Sequence, residues 1–107
     1  MRLSSYMSCM QGIVSILSAL AEPTRLSALA ILWDGSEHCV CELMAKLGAS
    51  QSRMSRHMSV LKAAGLVTDR RDAQWVRYRK SQKLAASVAA IIDAAVAAIP
   101  EQRKEAA

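Results

Sequence analysis

The chemistry available to this chain is concentrated in three sulfur atoms. Cys39 and Cys41 stand two residues apart in "EHCVCELMAKLGASQSRMSRH" (residues 37–57), and Cys9 is the only other cysteine. Thiolates are soft donors, suited to thiophilic metals, metalloids and oxidants. The count is odd, and two of the three lie too close in sequence for an ordinary structural bridge. The expectation is therefore free thiols or a soft-metal site in a reducing compartment. On an ideal helix, positions i and i+2 point about 200° apart. For both sulfurs to hold one guest, Cys39 must lie just before a helix, or the first helical turn must unwind. A helix N-terminus also lowers a thiol pKa and favours the thiolate. The plain alternative is that both cysteines are small hydrophobes filling the core.

The elements that must position these sulfurs read as a helical domain with one hairpin. Half of the 107 residues are apolar, but there is no Phe, so the core is built from Ala, Leu, Ile, Val and Met. A first helix is expected over Ser8 to Leu20, broken at Ala21-Glu22-Pro23, and a second from Thr24 to about Trp33. Asp34-Gly35-Ser36 is a turn. A third helix begins at Val40 or Cys41 and stops at Leu47 before Gly48. Ser50 caps a fourth that runs to Ala64 with Met54, Met58 and Leu61 as its apolar stripe. Leu66-Val67-Thr68 and Trp75 to Arg79 read as two strands around Asp72-Ala73-Gln74. A last helix spans about Lys83 to Ile99, with Leu84, Val88, Ile91, Ile92, Ala95 and Ile99 on one side, and Pro100 ends it. The fold class is mostly α with a β-hairpin, a winged helix-turn-helix of about five helices and a two-stranded wing. Residues 1–107 form one domain, and so thin a core is expected to be completed by dimerisation.

The N-terminal run Ile13 to Leu20 with Ala19-Leu20-Ala21 imitates a signal peptide. Ser15 and Ser18 interrupt it, however, and Ile13, Ile16, Leu17 and Leu20 repeat at helical spacing. It reads as an amphipathic helix of a cytoplasmic protein, and no segment approaches the ~20 apolar residues a membrane span needs.

Charge points to the partner. The formal net charge is +5, yet residues 50–80 hold eight Lys or Arg against Asp69 and Asp72, leaving the remainder slightly acidic. Such segregation fits a polyanion. Two short helices joined by Gly48-Ala49-Ser50 can lay the second in a major groove, with Gln51, Ser52 and Ser55 at base edges near its N-terminus. Arg53 and Arg56 can reach phosphate or guanine. Arg70, Arg71, Arg77 and Arg79 form a basic wing for the adjacent backbone or minor groove. His57 is either a phosphate contact or a structural hydrogen-bonding residue. The chain has no Gly-rich phosphate loop, no acid–base constellation and no βαβ frame for a thiol oxidoreductase, so an enzyme is not expected.

Four stretches carry a family likeness: "LAEPTRLSALAIL" (20–32), "CVCEL" (39–43), "SQSRMSRHMSVLKAAGLV" (50–67) and "RRDAQWVRYR" (70–79). In order and spacing they resemble the ArsR/SmtB winged-helix repressors. The resemblance implies a homodimer formed through the first and last helices, binding an inverted-repeat operator in double-stranded DNA and leaving it when inducer arrives. "CVC" is similar to the arsenic-responsive branch and implies trivalent arsenic or antimony (arsenite or antimonite) as inducer at Cys39 and Cys41, with no cofactor required. Where one arsenic-sensing version has a third cysteine, this chain has Met44. Cadmium- and lead-sensing relatives add an N-terminal thiol, which implies Cys9 as third ligand, possibly across the dimer, and makes those ions alternative inducers. His38 is a further accessory candidate. Zinc sensing on the last helix is not expected, because that helix offers Asp93 and no His. A thiol redox or persulfide switch of the same fold is the other alternative. Ala73 at the hairpin turn and Lys80 also depart from the family pattern.

Overall fold

The computed structural model describes the backbone of residues 3–100 and the side chains of residues 10–100. Helix α1 spans Leu3–Leu20 and α2 spans Pro23–Leu32. Glu22 separates them with extended backbone, and its Oε1 accepts the Arg25 N–H at 2.8 Å while Pro23 opens α2. The two helices diverge by 94° at this break. Strand β1 is only His38–Cys39, followed at once by α3, Val40–Leu47. Gly48 stops α3 at φ +67°, the left-handed conformation glycine tolerates best, and donates its N–H to Met44 O at 2.9 Å. Helix α4 is Gln51–Ala63, with the Ser50 hydroxyl accepting the Arg53 N–H at 3.3 Å. Strands β2 (Val67–Asp72) and β3 (Trp75–Lys80) make the wing, and α5 is Ala86–Ala97.

Leu29, Leu32, Leu43, Met54, Met58, Leu61, Leu66 and Ile92 form the fully buried centre, so α2 to α5 share one core. The expected Met54, Met58 and Leu61 stripe is the buried side of α4.

Three expectations need correction. The wing is not merely two-stranded: β1 adds to it in the order β1-β3-β2, all antiparallel. Strand β2 continues past Thr68 to Asp72, because every rung from Val67↔Lys80 to Asp72↔Trp75 is made. That leaves Ala73 and Gln74 as the turn, with Ala73 at φ +57°. The last helix starts at Ala86 rather than Lys83, since the Ser81 hydroxyl first accepts the Lys83 N–H in a local turn. Among the described residues no single helix is long and apolar enough to cross a membrane.

Candidate nucleic-acid interface and thiol site

The α3–α4 pair presents the expected polar side. Ser50, Gln51, Ser52, Arg53 and Arg56 are exposed and Ser55 is half-buried. The Ser50 hydroxyl is engaged as the helix cap and lies 3.5 Å from the Ser52 hydroxyl. Among the described residues Arg53, Arg56 and Arg71 have no ion-pair partner.

The inner side of α4 is pinned at His57. Its Nδ1 lies 3.2 Å from Arg25 Nη1, and its Nε2 is 3.8 Å from Glu22 Oε2. Arg25 also donates to Ala19 O at 2.8 Å and Ser18 O at 3.3 Å, so one guanidinium ties the end of α1 to α4. Burial alone would raise the Glu22 carboxyl, but the Arg25 N–H and the neighbouring His57 outweigh it and leave the group below its ordinary range. His57 therefore orients the helix.

The wing behaves differently. Residues facing each other across strands share a sheet face, which puts Arg70, Arg77, Arg79 and Trp75 on one side. Arg70 is held by Glu37 in a two-pronged ion pair, Nε to Oε2 at 2.8 Å and Nη2 to Oε1 at 2.7 Å. Arg77 Nε donates to Asp72 Oδ2 at 2.8 Å. Arg79 Nε is buried without a hydrogen-bond partner. The Arg70 hydrogen bonds, and the charges of Arg70, Arg77 and Arg79, hold the Glu37 carboxyl below its ordinary range. Charge counting missed the partner of Arg70, because Glu37 and Arg70 are 33 positions apart. It also missed Trp75, exposed beside the turn.

At the thiols, Cys39 has extended backbone (φ −68°, ψ 147°) and caps α3, while Cys41 lies in the first turn. This is the first of the two geometries the spacing allows. With Cys39 outside the helix the sulfurs converge, and they meet as a disulfide with Cα atoms 5.2 Å apart. The two sulfurs are thus close enough to bond to each other or to share one guest. An extended residue followed by one helical residue brings i and i+2 together where an ideal helix would part them. The Cys41 N–H points at Cys39 Sγ at 3.3 Å, and Glu42 Oε1 accepts the Cys39 N–H at 2.8 Å. That hydrogen bond is the main reason the Glu42 carboxyl sits below its ordinary range, with the charges of His38 and Arg77 adding to it.

Cys39 is buried and Cys41 half-buried. Two converging sulfurs fit two of the three thiolates that trivalent arsenic takes. Among the described residues no three His, Cys, Asp or Glu side chains form a metal cage. The Cys9 side chain lies outside the described residues, although its backbone belongs to α1. Met44, at the alternative third position, packs against the core. His38 Nε2 lies 2.9 Å from the Ser36 hydroxyl, and its Nδ1 is 3.6 Å from Glu42 Oε2. Asp93 Oδ1 accepts from Trp33 Nε1 at 2.5 Å, tying α5 to α2. Lys80 Nζ sits 4.0 Å over the Trp33 ring, a cation–π contact.

Residues 22–69 match the family model described as bacterial regulatory protein, arsR family. The chain is 40% identical over 82 residues to the arsenical resistance operon repressor of Escherichia coli, a match covering 77% of this chain and 70% of that protein. This protein belongs to the ArsR family. HlyU from Vibrio cholerae superposes with a TM-score of 0.68 at 36% identity, covering 88% of this chain and 92% of HlyU. A homodimeric winged helix-turn-helix DNA-binding domain from Mycobacterium bovis gives 0.74 at 22% identity, covering 97% and 93%. That last likeness speaks for the fold alone. This ArsR-family chain is a winged helix-turn-helix, and its Escherichia coli relative is named as a repressor rather than an enzyme.

Proposed function

We propose that this protein is a cytoplasmic transcriptional repressor. It binds an inverted-repeat operator as a homodimer and is released when trivalent arsenic or antimony binds Cys39 and Cys41. One observation carries the reading: Cys39 stands outside α3 as its cap, so both sulfurs converge on the first half of the DNA-reading helix pair. The reduced pair replaces two hydroxyls of arsenous acid. Two S–As bonds form, two As–O bonds break, and two waters leave with no change of oxidation state. Cys9 supplies the third thiolate in this reading, from its own or the partner subunit. Cadmium and lead would compete for the same sulfurs.

DNA contact is assigned to Ser50, Gln51, Ser52, Arg53, Ser55 and Arg56 of the helix and to Arg70, Arg71, Arg77 and Arg79 of the wing. Dimerisation is supported by α1, where Met10, Val14 and Leu17 recur at helical spacing and are 40–55% exposed. Arsenite uptake by reduced protein, followed by sulfur–arsenic absorption, tests the site. Wild type takes up one arsenic per site, Cys9→Ser binds more weakly, and Cys39→Ser/Cys41→Ser takes up none. Unaltered uptake by the double variant refutes the assignment.

The joined sulfurs favour one second reading, a thiol redox switch. Two thiols give two electrons and two protons to a peroxide, which leaves as two waters. Mass spectrometry after hydrogen peroxide treatment separates it from metalloid capture.

A further inference from the structure

The thiol pair is joined to the wing as well as to α3, the first helix of the DNA-reading pair. Cys39 belongs to β1, and β1 is a sheet neighbour of wing strand β3, with Cys39 opposite Arg77 and His38 opposite Tyr78. Arg77 in turn faces Arg70 on β2. Glu37, two residues before Cys39, therefore stands at the far side of the sheet from β2, and its carboxylate spans the middle strand to grip Arg70 with both oxygens. A planar guanidinium held this way has its Nε and Nη2 donors occupied, in the same fork that would otherwise take two phosphate oxygens. The Glu37 carboxylate fills that fork. In the structure the two sulfurs are joined and Arg70 is gripped at the same time.

We infer that Glu37 is a positioning residue that holds Arg70 off the DNA backbone, and that closure of the Cys39–Cys41 pair acts on DNA through it. The second half of this rests on the function proposed above. Closing the sulfurs, whether on a guest or on each other, fixes Cys39 and the short strand it belongs to, and the carboxylate two residues upstream keeps its hold on the wing. With the sulfurs apart, β1 is freer to shift and Arg70 can exchange the carboxylate for a phosphate. Glu37 is thus an internal competitor of the nucleic acid, placed next to the sensor.

The test compares full-length wild type with Glu37→Gln, which keeps size and removes charge; Glu37→Ala serves if the amide variant misfolds by circular dichroism. Binding to a random-sequence duplex is measured against salt with no guest present and with the Cys39–Cys41 pair of both proteins closed by hydrogen peroxide. Freeing Arg70 should steepen the log–log salt slope by about 1, one more phosphate contact, and tighten binding several-fold at low salt. Arsenite is then titrated into the reduced proteins on the duplex that wild type selects from a random library, with uptake read separately by absorption. The variant should take up arsenite as wild type does, yet lose less than a third as much DNA affinity in fold terms. An unchanged salt slope overturns the restraint. A steeper slope with wild-type release on arsenite overturns the link to the thiols. If wild type itself takes up no arsenite, the proposed function fails, while the guest-free slope still decides the role of Glu37.

Discussion

Two basic surfaces of the same molecule are built in opposite ways. Along α4, Arg53 and Arg56 project from a helix whose inner side is clamped by buried Met54, Met58 and Leu61 and by the Arg25–His57–Glu22 contact. Among the described residues their charges have no ion-pair partner. Along the wing, Arg70 and Arg77 are paired with carboxylates, and the middle strand is hydrogen-bonded to the strand that carries Cys39. On the function proposed above, the fixed scaffold with free cations would be a constant grip on DNA and the laced scaffold with engaged cations an adjustable one. Positive charge alone does not distinguish the two; its partners do.

The largest expected effect breaks the constant grip. Arg53→Ala/Arg56→Ala should weaken duplex binding by about a hundredfold and flatten the salt slope by about 2, without altering arsenite uptake. Nitrocellulose filter binding over a salt series measures both. A loss no larger than that of Arg71→Ala, expected to be a few-fold, would mean that helix and wing share the load equally.

A smaller effect concerns the hinge between sensor and helix. Glu42→Gln weakens the cap on the Cys39 N–H and should cost about 0.5–1 kcal/mol in urea unfolding. The Glu42 carboxyl is depressed in the folded state, so its contribution is present above its ordinary value of 4.5 and lost as pH falls through the lower folded value. The gap between wild type and variant should stay constant from neutral pH down to that range and then close. A gap that opens on acidification contradicts the cap.

The smallest effect sits at the wing tip. Ala73 takes φ +57°, which is strained for a residue with a Cβ. Ala73→Gly relieves that strain but adds freedom to the unfolded chain, for a net gain of up to about 1 kcal/mol. Thermal melting reads it. The duplex salt slope should not move, because no arginine contact changes.

Much of the scaffold was legible because its signals are local. Gly48 and Ser50 mark the stop and start of α3 and α4, and the Met54–Met58–Leu61 spacing marks the inner side. The two-residue gap between Cys39 and Cys41 posed the right geometric question, and the extended backbone at Cys39 answers it. The rest depends on partners far along the chain. Strand β1 is too short to have a period. Strand β2 carries Asp69 to Asp72, charges that hide it from any alternation test, and its length is set by its rungs to β3. Arg70 looked free because its partner Glu37 lies before the third helix, and His57 found its role only when α1 and α2 came beside α4.

The most direct measurement is fluorescence anisotropy of a labelled duplex, selected from a random library by the wild-type protein and titrated with arsenite under reducing conditions. Wild type should release the DNA at about one arsenic per site, and Cys39→Ser/Cys41→Ser should stay bound throughout. Release of both proteins at the same arsenite concentration, or of neither, would contradict control of DNA binding by the sulfurs at the front of α3.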